Sequence, residues 1–130
     1  VSIKLRVNQN SLSKKLQQLE THGEEFIKGA LEEISGFMVV RTPVDTGAFA
    51  ESYSVRLPTD SSGRRVSSAN RPRKQNPETF QNVARQNMFS DIEVLDLENH
   101  SSVLISNRAP HAGEVENRHQ IFNSARDRFR

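Results

Sequence analysis

The sequence predicts an α+β fold: a small antiparallel sheet packed on one long N-terminal helix, with a long basic loop and a short helix inserted between strands. Three observations carry that prediction. Short strand-like runs occur near Val1–Val7, Tyr53–Leu57, Asp91–Leu97 and Val103–Ile105. A helical apolar stripe fills much of the first third of the chain and stops at Pro43. Between the second and third strand runs lies an apolar-poor stretch, Pro58 to Gln75, followed by a helix start.

Taken in order, Val1, Ile3, Leu5 and Val7 alternate with Ser2, Lys4 and Arg6. A period of two argues for a strand, or for an N-terminal arm (residues 1–10) that adds a strand to a neighbour's sheet. Leu12, Leu16 and Leu19 then recur at helical spacing, with Ser11 as N-cap, and Phe26, Ile27, Ala30, Leu31, Ile34 and Met38 continue the stripe. This is either one helix over about 11–41 or two segments meeting near Gly23, since Thr21 and Glu24 have capping-box spacing. Pro43 ends it, because proline lacks an amide proton and biases Thr42 away from helical dihedrals.

Tyr53, Val55 and Leu57 alternate with Ser54 and Arg56 as a strand. Residues 58–76 read as a mobile basic loop, carrying Arg64, Arg65, Arg71, Arg73 and Lys74 against one acid, Asp60. Asn76-Pro77-Glu78 combines a cap, a first-turn proline and an acid at the positive helix end, opening a helix over about 77–89. Asp91–Leu97 and Val103–Ile105 read as two strands joined by a hairpin turn at Glu98-Asn99-His100-Ser101. The tail, 111–130, is helical in parts, with Ile121, Phe122, Ala125 and Phe129 on one face.

Composition bounds the function. The 130 residues form a single domain, of which only 34% are hydrophobic, with a mean hydropathy of -0.68. Ordinary soluble domains reach roughly 45–50% apolar. Either much of the chain is surface, or neighbouring subunits help complete the fold. The net charge of +2 does not by itself imply nucleic acid. With no cysteine there is no disulfide, thiolate metal site or cysteine nucleophile. No apolar run approaches the roughly 20 residues of a membrane span, and the start of the chain has no signal-peptide core. A soluble protein, made in a cytoplasm or assembled from one, is expected.

Catalytic signals are sparse. His111 and Glu114 lie three apart and His119 further on, but a metal needs convergent ligands with a second shell, and surface or helix-end roles are favoured. Asp45 in the Pro-Val-Asp-Thr-Gly run has no partner histidine or second carboxylate within that run, and such an aspartate is more often a turn residue. One glycine without a following Lys-Ser/Thr fails the phosphate-loop pattern. Arg64, Arg65, Arg71, Arg73 and Lys74 suit backbone phosphates or an acidic protein neighbour, without the interleaved aromatics of a single-strand platform.

"RTPVDTGAFAESYSV", after a long helix and before a strand, resembles the neck or tail-completion proteins of tailed bacteriophages, the small head–tail joining proteins. "VLISNRAPHAGEVENRH", from Val103 to His119, is similar to a second element of that family: a strand, Asn-Asn-x-Pro-Tyr-Ala, then a Glu before a Gly. Here Ser106-Asn107 precede Arg108-Ala109-Pro110, His111 stands where Tyr is usual, and Asn117-Arg118 replaces Tyr-Gly after Glu116. The likeness covers about 11–120. It implies a virion structural protein rather than an enzyme, with no cofactor: a ring, often sixfold with twelvefold as the alternative, between the portal connector and the tail or tail terminator. DNA passes through such a ring. The expected place is the neck or tail top of the virion, assembled in the host bacterial cytoplasm, with no membrane contact.

On that reading the motif is a corner. Pro43 stops the helix, Asp45 and Thr46 satisfy backbone amides at the turn, and Gly47 permits dihedrals or close approach denied to other residues. Val1, Ile3, Leu5 and Val7 are expected as an inter-subunit arm, and the 64–74 basic residues as a partner or DNA contact. The alternative function is a small DNA-binding protein using that loop.

Overall fold

A computed structural model describes residues 3–8, 24–60, 62–97 and 102–129. The elements run β1 (Ile3–Asn8), α1 (Glu24–Val40), α2 (Ala48–Glu51), β2 (Tyr53–Arg56), α3 (Pro77–Glu93), β3 (Ser102–Asn107), α4 (Ala112–His119) and α5 (Ile121–Arg128). The class is α+β. β3 is the central strand of an antiparallel sheet ordered β1-β3-β2. Opposite residues align Leu5 with Ile105 and Val55, and Val7 with Val103. Alternation puts Val7, Tyr53, Val55, Val103 and Ile105 into the core, with Leu5 packed against it.

The sheet differs from expectation in one strand. Residues 91–97 do not pair with 103–105. Instead α3 continues to Glu93, four residues past its predicted end. The spacing of Ala84, Met88 and Ile92 is four, and all three are fully buried. An alternating strand would turn Ile92 and Val94 to one face, yet Ile92 is 0% exposed and Val94 83%. The start of α3 is as read: the Asn76 side chain accepts from the Glu78 amide at 3.0 Å, and Pro77 occupies the first turn.

α1 buries Ile27, Leu31, Ile34, Met38 and Val39. The part of the predicted long helix before Glu24, with Ser11 and the Gly23 junction, lies outside the described residues. The helix that backs the sheet most directly is α3, over β2; α4 and α5 cover β1, and α1 stacks on α3 and α5. α4 passes into α5 through Gln120 at φ 50. There the Glu116 carboxylate accepts the Phe122 and Asn123 amides at 2.8 and 3.1 Å, satisfying free donors at the start of α5. Among the described residues no helix is long and apolar enough to cross a membrane.

Candidate functional site

The corner begins where α1 ends. The Thr42 hydroxyl donates to the Met38 carbonyl at 2.9 Å and meets the Tyr53 hydroxyl at 2.8 Å. The threonine's single proton is spent on Met38, so Tyr53 donates to Thr42. Burial pushes the Tyr53 hydroxyl well above the ordinary phenol range, which keeps it a donor. Gln81 on α3 donates its side-chain amide to the Thr42 carbonyl at 2.9 Å. The end of α1, the start of β2 and α3 therefore meet at one buried threonine.

Gly47 adopts φ 86 and ψ -10, a left-handed conformation. A Cβ there would run into the Phe80 ring of α3. The sequence needs glycine for both reasons, dihedral and close approach. One helical turn, α2, follows directly and buries Ala48, Phe49 and Ala50. Thr46 acts locally as expected, accepting the Ala48 amide at 3.3 Å. Asp45 does not. Its carboxylate accepts the Lys74 amide and the Arg73 Nε, each at 3.0 Å, and its carbonyl accepts the Gln75 amide at 2.8 Å. Its carboxylate ties Arg73 and Lys74 to the corner across 28 and 29 positions. The Lys74 amide first, with Arg73 adding to it, holds the Asp45 carboxyl below the usual carboxylate range.

Asn107, at the end of β3, locks the second half of the corner. It is 0% exposed. Its Nδ2 donates to the Phe49 carbonyl at 2.7 Å, and its Oδ1 accepts the Ala109 amide at 3.0 Å. Phe49 meets Tyr53 edge-on at 5.3 Å and lies 6.3 Å from the His111 ring. In the sequence the signal for Asn107 is a polar residue closing a strand otherwise built of small and apolar ones.

Between the corner and α4 runs a groove of about 660 Å³. Pro43, Asp45, Thr46 and Gly47 form one wall, His111, Glu114 and His119 another, and Arg71 and Arg73 border it. The structure thus gathers the corner residues with the histidines 64 or more positions away. Among the described residues no three His, Asp or Glu side chains converge as a metal set. The groove's carboxylate at Asp45 is already engaged by an amide and a guanidinium, which suits it to holding the loop rather than moving protons.

The basic loop is not a single patch. Arg64 grips Asp91 through two bonds at 2.6 and 2.8 Å, Arg71 pairs with Glu51 at 2.7 Å, and Arg73 with Asp45 at 3.0 Å. Arg65 and Lys74 are exposed. The expected mobile stretch is instead fastened to α2, α3 and the corner by the chain's own acids. A phosphate would have to displace those acids to recruit the three arginines, which weakens the case for this loop as a DNA clamp. Ser52 and Ser54 accept the Val66 and Arg64 amides at 2.9 and 2.8 Å, so the loop also lies along β2.

The predicted arm is likewise part of its own chain. Ile3, Leu5 and Val7 belong to β1, paired with β3, and Val7 sits in the core; Val1 lies outside the described residues. The apolar alternation is used to join this sheet rather than to reach from it.

Comparison with protein-family models, with curated proteins and with solved structures found no match.

Proposed function

We propose that the chain is a structural subunit of a bacteriophage virion, forming a ring at the head–tail interface that joins the connector to the tail and lets DNA pass. What supports this reading is the interlocking of the two segments that carry the resemblance. Residues 41–55 and 103–119 are far apart in sequence. They meet through Asn107 on the Phe49 carbonyl and through Phe49 beside His111. The chemistry of that meeting place is hydrogen-bond closure of a corner. It sets the angle between α1 and the sheet, and in a ring that angle sets how subunits meet.

The test is the mass of the assembled particle, by light scattering and direct imaging, alongside a joining assay with separated capsids and tails. A ring of six copies, or twelve, supports the proposal. A chain that stays monomeric and also fails to join capsids to tails defeats it.

A further inference from the structure

β3 is the middle of the sheet, so β1 and β2 are its edges. An edge strand turns the backbone N–H and C=O groups of every second residue outward, where another chain can pair with them. β1 lies against α4 and α5. Among the described residues β2 has no strand beyond it. Two of its outward groups are met by side chains instead. The Tyr53 carbonyl accepts Arg64 Nη1 at 2.9 Å, and the Val55 amide donates to Asp91 Oδ2 at 2.9 Å. The same two side chains grip each other, Nη1 to Oδ2 at 2.6 Å and Nη2 to Oδ1 at 2.8 Å.

The polarity of this arrangement matches a strand. One residue of a parallel neighbour would set its N–H on a carbonyl of β2 and its C=O on the amide two residues further on. Here the guanidinium supplies that donor to Tyr53, and the carboxylate supplies that acceptor to Val55. The ion pair stands in for one residue of a strand that the sheet lacks.

The loop that carries Arg64 does not itself extend the sheet. Its Arg64 and Val66 amides go to the Ser54 and Ser52 hydroxyls, not to β2 carbonyls. Ser54 alternates with the core residues Tyr53 and Val55, and so points to the other face. On that face Arg56 bonds the Ser106 hydroxyl at 3.3 Å and the Asp60 carbonyl, and Arg108 bonds the Gly63 carbonyl at 3.2 Å. Residues 63–66 therefore lie over the outer face of the sheet, while α3, with Asp91, backs β2 from the inner side. Arg64 passes round the edge of β2 to join the two. Its side chain keeps 33% of its exposure and that of Asp91 19%, so the pair can open to water without unfolding the core.

We propose that the Arg64–Asp91 pair is an edge guard: it fills the strand-pairing positions of β2 and keeps a second copy from adding its own β2 there. An opened β2 is complementary to itself, because two identical edges pair antiparallel about a two-fold axis. The inference does not depend on the ring reading, since it concerns a contact that the closed pair prevents. A mere fastening of the loop would need only opposite charges. A guard also needs the donor at the Tyr53 carbonyl and the acceptor at the Val55 amide, which is the order observed.

The test follows the Val55 amide by hydrogen exchange, and the mass by sedimentation velocity, over a range of concentrations of the full chain. In the wild type the Val55 amide is expected to exchange slowly at every concentration. In Asp91→Ala it is expected to exchange roughly 10- to 100-fold faster when dilute, as one hydrogen bond to a charged group is lost. As concentration rises, protection at Val55 should return together with a rise in mass above that of the wild type, because the β2 of a second copy takes the place of the pair. Circular dichroism checks the fold; should Asp91→Ala disturb it, Arg64→Ala, at a loop residue outside the core, reads the same opening.

The exchanged pair Arg64→Asp/Asp91→Arg separates a guard from a fastening. It restores opposite charges, so tryptic cleavage at Arg65 should stay as slow as in the wild type. It also sets acceptor against acceptor at Tyr53 and donor against donor at Val55. Val55 should therefore remain unprotected when dilute, and the mass should still rise. Fast Val55 exchange in the wild type overturns the inference. So do opened variants that keep the wild-type mass or never regain protection at Val55, and so does an exchanged pair that protects Val55 as fully as the native one.

Discussion

Replacing Gly47 with alanine measures why the corner requires glycine. The residue sits at φ 86, and its absent Cβ would lie 2.8 Å from Phe80 Cζ and nearer to other ring atoms. Holding a non-glycine residue in the left-handed region costs about 1–2 kcal/mol. Forcing an extra methyl against a packed ring costs about 1–3 kcal/mol. Together the variant should lose roughly 2–5 kcal/mol, a large share of a typical total of about 5–15 kcal/mol. For a domain of this size that corresponds to a fall in Tm of roughly 10–20 °C. Urea denaturation followed by circular dichroism reads the difference. A double-mutant cycle with Phe80→Ala separates the causes: without the ring only the dihedral cost remains, so the Gly47→Ala penalty should shrink to about 1–2 kcal/mol. A Gly47→Ala protein within about 0.5 kcal/mol of wild type, or a penalty that ignores Phe80, would refute the reasoning.

Other perturbations follow from the same contacts. Asn107→Ala strands the buried Phe49 carbonyl and Ala109 amide, and should cost roughly 2–4 kcal/mol by chemical denaturation. Asp91→Ala frees Arg64 and uncaps the Val55 amide. A loss of about 1–2 kcal/mol and faster tryptic cleavage at Arg64 are expected, and an unchanged digestion pattern would argue against the clamp. The Asp45 carboxyl is held low in the folded state, so its tie to the loop is present above about pH 4 and is lost as pH falls through the depressed folded value. The Lys74 amide chemical shift should report that step on acidification, and Asp45→Asn should abolish it. A Lys74 shift that titrates equally in both proteins would remove Asp45 as the cause.

Local signals in the sequence were read correctly where the physics is local. Pro43 ends a helix because of its own ring and missing proton. Asn76, Pro77 and Glu78 start one because their groups reach amides within a single turn. Apolar alternation marked β1 and β2 because a pleated strand has a period of two, and the contiguous apolar run Val103-Leu104-Ile105 marked β3. The misreading of 91–97 came from a choice between periods. Ile92 completes a spacing of four from Ala84 and Met88, and burial of that face outweighed the brief alternation with Val94.

The candidate site was half legible. Pro43, Thr46 and Gly47 act where their own chemistry places them. Asp45, the loop arginines and Asn107 act on residues that the chain brings near only after folding. Nothing in a Ser- and Arg-rich stretch says that Arg64 will meet Asp91, or that Arg73 will meet Asp45, since each pair spans a loop and a helix or corner. For the same reason the strand read as an arm joins its own sheet: an alternating segment states that it wants a partner, and only the tertiary structure supplies which one. The sequence by itself determined where α1 stops, where α3 starts and where glycine is required, because those follow from contacts a few residues long. The tertiary structure decided which edges pair, which charges cancel and which remain outside, because those depend on distances between segments that no local pattern encodes.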